Sequence, residues 1–259
     1  MSFIQTVFLG AIAGLTIYLG LPLGRVKKIS EKARAFLSMT SAGILIFLFF
    51  DIFRQLSVPI EASLRQSGLN SNFALLFLIF VAGFGFGLLG LIFFEERFMR
   101  LRPATDKVIS PTYLALMIAT GIGLHNFSEG LAIGQSAGRG AIGFATLLII
   151  GFGLHNATEG FGIVGPLIGQ DRPSWGFLGL AGLIGGGPTF LGTMLGYFLV
   201  SDAMSVLFLS LACGALVYII GALFHMNWRS AIRNWAGLGI FLGFLFGYMT
   251  DLILTAAGV

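Results

Sequence analysis

The sequence predicts an all-α integral membrane protein with eight transmembrane helices. Three observations carry that expectation. Hydrophobic residues make up 56% of the 259 and charged residues only 10%, where a soluble domain carries about 25% charged. The apolar residues gather into eight blocks, each near the roughly 20 residues that a helix needs to cross the hydrocarbon core. The basic residues between blocks fall almost entirely on alternate connections.

Taken in order, the blocks cover 3–23, 35–52, 73–94, 109–134, 142–168, 175–200, 204–224 and 235–254. No basic residue precedes the first, so it lacks the charged start of a cleaved signal peptide. The longest hydrophilic strips, 54–72 and 95–107, read as loops, which leaves one transmembrane domain over 1–259 and no soluble domain. With eight spans, twelve of the fifteen Lys and Arg lie on one side and only Arg54, Arg65 and Arg139 on the other. The positive-inside bias puts the twelve in the cytoplasm and both termini outside. Short loops make a prokaryotic plasma membrane the default location. The formal charge of +4 and pI near 9.5 then reflect topology and contact with anionic lipid headgroups, and give no case for nucleic acid. Cys213 is alone, so no disulfide forms within one chain; a packed thiol in the seventh span is expected. The 38 glycines sit largely within the blocks, where small residues let helices approach closely. The run Gly185-Gly186-Gly187-Pro188 is expected to loosen or break the sixth span midway.

One pattern interrupts the apolar blocks. GIGLHNFSEG (121–130) in the fourth is repeated thirty residues later as GFGLHNATEG (151–160) in the fifth. Away from the span ends, Glu129 and Glu159 are the acids of the apolar blocks, and His125 and His155 their histidines. Residues i and i+4 share a helix face, so His125 stacks on Glu129 and His155 on Glu159, with Asn126 and Asn156 on the adjoining edge. Facing one another on consecutive helices, the two segments offer two imidazoles, two carboxylates and two amide oxygens. That donor set suits zinc, iron, nickel or copper, and carboxylate extends it toward manganese. An acid at a helix centre is about 2.5–3.5 kcal/mol uphill on insertion scales, and two close glutamates repel unless one holds a proton or a cation lies between them. Metal binding should therefore release protons and weaken as pH falls. The bland alternative is a hydrogen-bonded cluster that only joins two helices. His225, near the end of the seventh span, reads as an interfacial residue.

HNFSEGLAIG (125–134) and HNATEGFGIVGP (155–166), on the fourth and fifth of eight expected spans, resemble the paired motifs of ZIP (Zrt/Irt-like) metal transporters, in particular the microbial members reading HNxPEG on both. The resemblance implies two three-helix repeats of inverted topology around a central helix pair, a homodimer, and a bundle of spans one, four, five and six that slides against the other four. It implies a primary metal site at His125, Glu129, His155 and Glu159, with Asn126 and Asn156 serving an adjacent second site. The sequence departs from the family at Ser128 and Thr158, where proline usually precedes the glutamate, and at Gly182, where the sixth span often supplies an acid. A single well-occupied metal is therefore expected.

The expected function is a divalent transition-metal transporter, zinc first with Fe²⁺, Mn²⁺ or Cd²⁺ as alternatives, carrying its substrate into the cytoplasm with no required cofactor. Two other readings stand beside it. An intramembrane metal-dependent hydrolase needs a base distinct from the ligands, and the HExxH order is absent. A proton-handling or pH-sensing protein would use the cluster without moving metal. Asp51 and Asp251, with Glu61 and Asp202, either form an acidic outer entrance or simply reach the interface.

Overall fold

Every apolar block becomes helix, and the described residues contain no strand. In lipid a helix satisfies its backbone hydrogen bonds within the segment itself. The computed structural model describes residues 1–27, 30–100, 110–199, 201–227 and 232–256, with the side chains of residues 67, 94, 95, 98–100, 144, 147, 154, 155, 158, 226, 227, 250, 253 and 254 outside the described set. The helices are α1 (Phe3–Leu15), α2 (Glu31–Ser67), α3 (Ser71–Arg100), α4 (Pro111–Gly138), α5 (Ile142–Val164), α6 (Trp175–Gly196), α7 (Asp202–Asn227) and α8 (Arg233–Ala256). Ser2, Ser30, Ser110 and Ser174 cap α1, α2, α4 and α6, each accepting a hydrogen bond from the backbone N–H three residues on. Five segments are long and apolar enough to cross a membrane: Phe3–Arg25, Glu31–Gln66, Ser71–Phe93, Trp175–Gly196 and Asp202–His225. They make the chain a membrane protein. α4 is long enough but not apolar enough, because His125, Asn126 and Glu129 interrupt it.

Three expectations need correction. The strip 54–72 is not a loop: α2 runs through it to Ser67. Charged residues ended the apolar block, but their spacing keeps the helix going. Arg54 and Gln55 both donate to Asp51, at 3.1 and 2.7 Å, and Arg65 pairs with Glu61 at 3.2 Å, all at i,i+3 or i,i+4. The strip 95–107 is likewise helical as far as Arg100, and 101–107 lies outside the described residues. Finally, the Gly185–Pro188 run does not break α6, which continues to Gly196 with Pro188 inside. The break falls instead on α1, which ends at Leu15 and passes into 3-10 turns at Thr16–Leu19 and Leu21–Arg25. Pro22 has no N–H to give the Tyr18 carbonyl, and its ring would strike that carbonyl in an α-helix.

The helices sort into two groups. α1, α4, α5 and α6 pack chiefly on one another, as do α2, α3, α7 and α8, and the groups meet mainly through α4 against α7 and α2 against α5. Exchanging α1, α2 and α3 for α6, α7 and α8, and α4 for α5, leaves the set of principal pairings unchanged: α2–α8 becomes α7–α3, and α4–α6 becomes α5–α1. Glycine makes the closest crossings. Gly130 and Gly134 on α4 face Gly192 and Gly196 on α6, and a Cβ on any of the four would collide with a backbone carbonyl of the other helix. At one end, the turns after α1 are fastened to the α5–α6 connection. Gly169 N–H donates to the Val26 carbonyl at 3.0 Å, Lys27 pairs with Asp171 at 3.5 Å, and Arg25 donates to the Pro173 carbonyl while lying 4.5 Å over the Trp175 ring.

Candidate functional site

The two motif segments meet at the centre of the first helix group. α4 carries His125, Asn126 and Glu129, and α5 carries Asn156 and Glu159; all five are buried, none more than 3% exposed. The fold explains the burial. α4 and α5 are the central pair, packed against α1 and α6 of their own group and against α2 and α7 of the other. Apolar residues flank the polar layer along the helices. Ala13, Ile133, Leu148 and Ile149 form one buried cluster, and Ile17, Leu21, Ile163 and Val164 belong to the larger core.

Within the layer His125 Nε2 lies 3.2 Å from Glu129 Oε1, the i,i+4 pair read from the sequence. Asn156 Nδ2 donates to Glu129 Oε2 at 3.4 Å, tying the α4 carboxylate to α5. Asn126 Nδ2 donates to Asn156 Oδ1 at 2.5 Å and to the Gly185 carbonyl of α6 at 3.0 Å. Asn156 Nδ2 also donates to the Ala13 carbonyl of α1 at 3.2 Å. Glu159 is buried on α5, one helical turn beyond Asn156. The backbone of His155 belongs to α5, but its side chain lies outside the described residues.

Of the six residues expected as ligands, four are thus joined by direct contacts and a fifth is buried beside them. The two asparagines are not equivalent. Asn156 Oδ1 already accepts a hydrogen bond, whereas Asn126 Oδ1 is buried without one among the described residues. Among the described residues no three His, Cys, Asp or Glu side chains stand close enough together to hold a metal ion.

Sequence reasoning missed the backbone contributions. The carbonyls of Ala13 and Gly185 join the network from α1 and α6, and Thr16 Oγ1, beside them, donates to the carbonyls of Ala13 and Gly153. The Gly185–Pro188 run was a signal for α6; α1 offered none as specific. Gly182 also has a neighbour that composition could not reveal. A Cβ there would lie 2.5 Å from the Tyr18 ring and 2.8 Å from Leu21 Cδ1, and Tyr18 Oη donates to the Gly179 carbonyl at 2.8 Å. The space beside Gly182 is therefore filled by Tyr18. Gly182→Glu alone is expected to lower the melting temperature in detergent, and Gly182→Glu with Tyr18→Ala to recover part of the loss.

Among the remaining acids, Arg54 bridges Asp51 at 3.1 Å and Asp251 at 3.8 Å, linking α2 to α8. Glu61 pairs with Arg65 of its own helix, and Asp202 opens α7. His225 is exposed near the end of α7, and Cys213 is buried as a free thiol. The chain matches no protein-family model and no curated protein.

Proposed function

We propose that this chain transports a divalent transition-metal ion, zinc first, by alternating access through the buried layer of α4 and α5. The observation that carries the reading is the layer itself. Imidazole, carboxylate and amide groups of a repeated motif are held, fully buried, with apolar residues flanking them. Burying such groups is costly without a cation to satisfy them, and transporter sites of this kind lie deep in the membrane between repeated helices. His155 would complete a ligand set of two imidazoles and two carboxylates.

The likeness of the motifs to ZIP transporters supports the finer topology: eight spans, both termini outside, and a homodimer importing metal into the cytoplasm. Packing that is unchanged when α1–α3 and α6–α8 are exchanged supports an inverted repeat. The division into two helix groups supports motion of α1, α4, α5 and α6 against the rest. Metal is cargo in this reading, and no resident cofactor or catalysed reaction is involved.

The test is uptake of radioactive zinc into proteoliposomes under an imposed pH gradient. Saturable uptake is expected, with half-saturation moving to higher zinc as pH falls, because protons compete for imidazole and carboxylate. Absence of uptake by folded protein that binds zinc would remove transport. A second reading, proton handling by the His–Glu–Asn network, is favoured by the hydrogen bonds already made within it. Its mark is a pH-driven response that chelators leave unchanged.

A further inference from the structure

We propose that Asn126 and Asn156 are positioning residues, lacing the four helices around the site into one mechanical unit. The inference rests on the transporter reading and adds to it. One hydrogen-bonded chain runs from the Ala13 carbonyl of α1 through Asn156 of α5 and Asn126 of α4 to the Gly185 carbonyl of α6. It visits each member of the group that packs together and no helix of the other group. Both N–H bonds of each amide are used. The fourth of these bonds goes to Glu129, so the lacing also orients a carboxylate of the site.

The two ends are equivalent under the exchange that relates α1 to α6 and α4 to α5. Each asparagine reaches the outer helix related to the one its partner reaches, and each grips it where regular helix is weakened. Ala13 lies at the end of α1, where Thr16 also shares its carbonyl. Gly185 lies one turn before Thr189 and next to the Ile184 carbonyl, which Pro188 leaves without its helical donor. A carrier whose outer helices shifted independently would open its site to one side without closing the other. The lacing prevents that.

The experiment compares zinc affinity in detergent with zinc uptake in proteoliposomes for the wild type, Asn156→Asp, Asn126→Asp and Thr16→Val. An aspartate keeps an oxygen for metal but has no N–H for Ala13 or Gly185. Thr16→Val cuts α1 from the Gly153 carbonyl of α5 and leaves the expected ligands untouched. The expected result for Thr16→Val is near-wild-type zinc affinity and half-saturation with a maximal uptake rate lowered about tenfold, the scale of one buried hydrogen bond left unmade. The two aspartate variants, which also put a charge beside Glu129 and so change zinc affinity, should show the same fall in maximal rate at saturating zinc. Backbone amide exchange over residues 12–19 should quicken in Asn156→Asp and Thr16→Val. If one variant does not fold, the others carry the comparison, since they act on different ends of the chain. Unchanged maximal rates, or a change confined to zinc affinity, would overturn the lacing and make the asparagines ligands only. Absence of uptake in the wild type would instead overturn transport, and unchanged amide exchange in Asn156→Asp and Thr16→Val would then overturn the lacing on its own.

Discussion

Glu129→Gln is expected to abolish saturable zinc uptake while leaving the protein as stable as the wild type, or more so. Glutamine has the shape of glutamate, and its amide oxygen can still accept the hydrogen bond that Asn156 donates. What it removes is a carboxylate in a layer only 3% exposed, with its charge and the oxygen that lies 3.2 Å from His125 Nε2. Without metal that charge is a burden on folding; with metal it is a ligand. The two measurements should therefore move apart. Uptake should fall by about 100-fold or more, beyond the roughly 10–100-fold that losing an outer-shell partner costs. The melting temperature in detergent should hold or rise. Glu159→Gln and His155→Ala should behave alike in uptake. A variant that transports with unchanged half-saturation takes its residue out of the site, and one that loses stability with uptake marks a structural role.

The second large effect is expected at the α4–α6 crossing. Gly192→Ala puts a methyl against the Phe127 carbonyl, and Gly130→Ala puts one against the Thr189 carbonyl. Backbone cannot swing aside as a side chain can, so each should cost about 1–3 kcal/mol. Gly192→Leu should prevent recovery of folded protein. Gly179 and Gly221 lie in helices too, yet nothing stands within 4 Å of a Cβ at either. Alanine there should be neutral or stabilising by up to about 1 kcal/mol, its advantage over glycine in a helix. Thermal scans of the four alanine variants in one detergent test the contrast. Equal effects at all four positions would mean that helix propensity, not the crossing, decides.

Hydrophobic blocks located the helices because in lipid a long apolar run has no other way to satisfy its backbone. Repetition of HNxxEG located the buried polar layer, since away from the span ends the acids and histidines of the apolar blocks fall in these two segments. Helix ends were less legible. At Ile52 hydropathy stops but helix does not, because Asp51, Arg54, Gln55, Glu61 and Arg65 are spaced to support one another along α2. In α6 the reverse holds: helix continues through a glycine–proline run that breaks isolated helices, packed closely on α1 and α4. The carbonyls of Ala13 and Gly185 were invisible for a simpler reason. A backbone oxygen has no letter in the sequence, and only the packing of α1 and α6 brings these two to the asparagines.

The polar interruption of α4 also bears on how the protein is made. α4 does not reach the apolarity of α3 or α6, so a newly synthesised α4 gains less than they do by leaving the insertion machinery for lipid alone. It gains more by leaving in company. α6 offers glycines for close docking and the Gly185 carbonyl for Asn126, and α5 offers Asn156 for Glu129, yet both are synthesised after α4. The helix that carries half of the candidate site is thus expected to wait at the translocon until its successors arrive, and chains truncated before α5 should be the ones that membrane quality control removes.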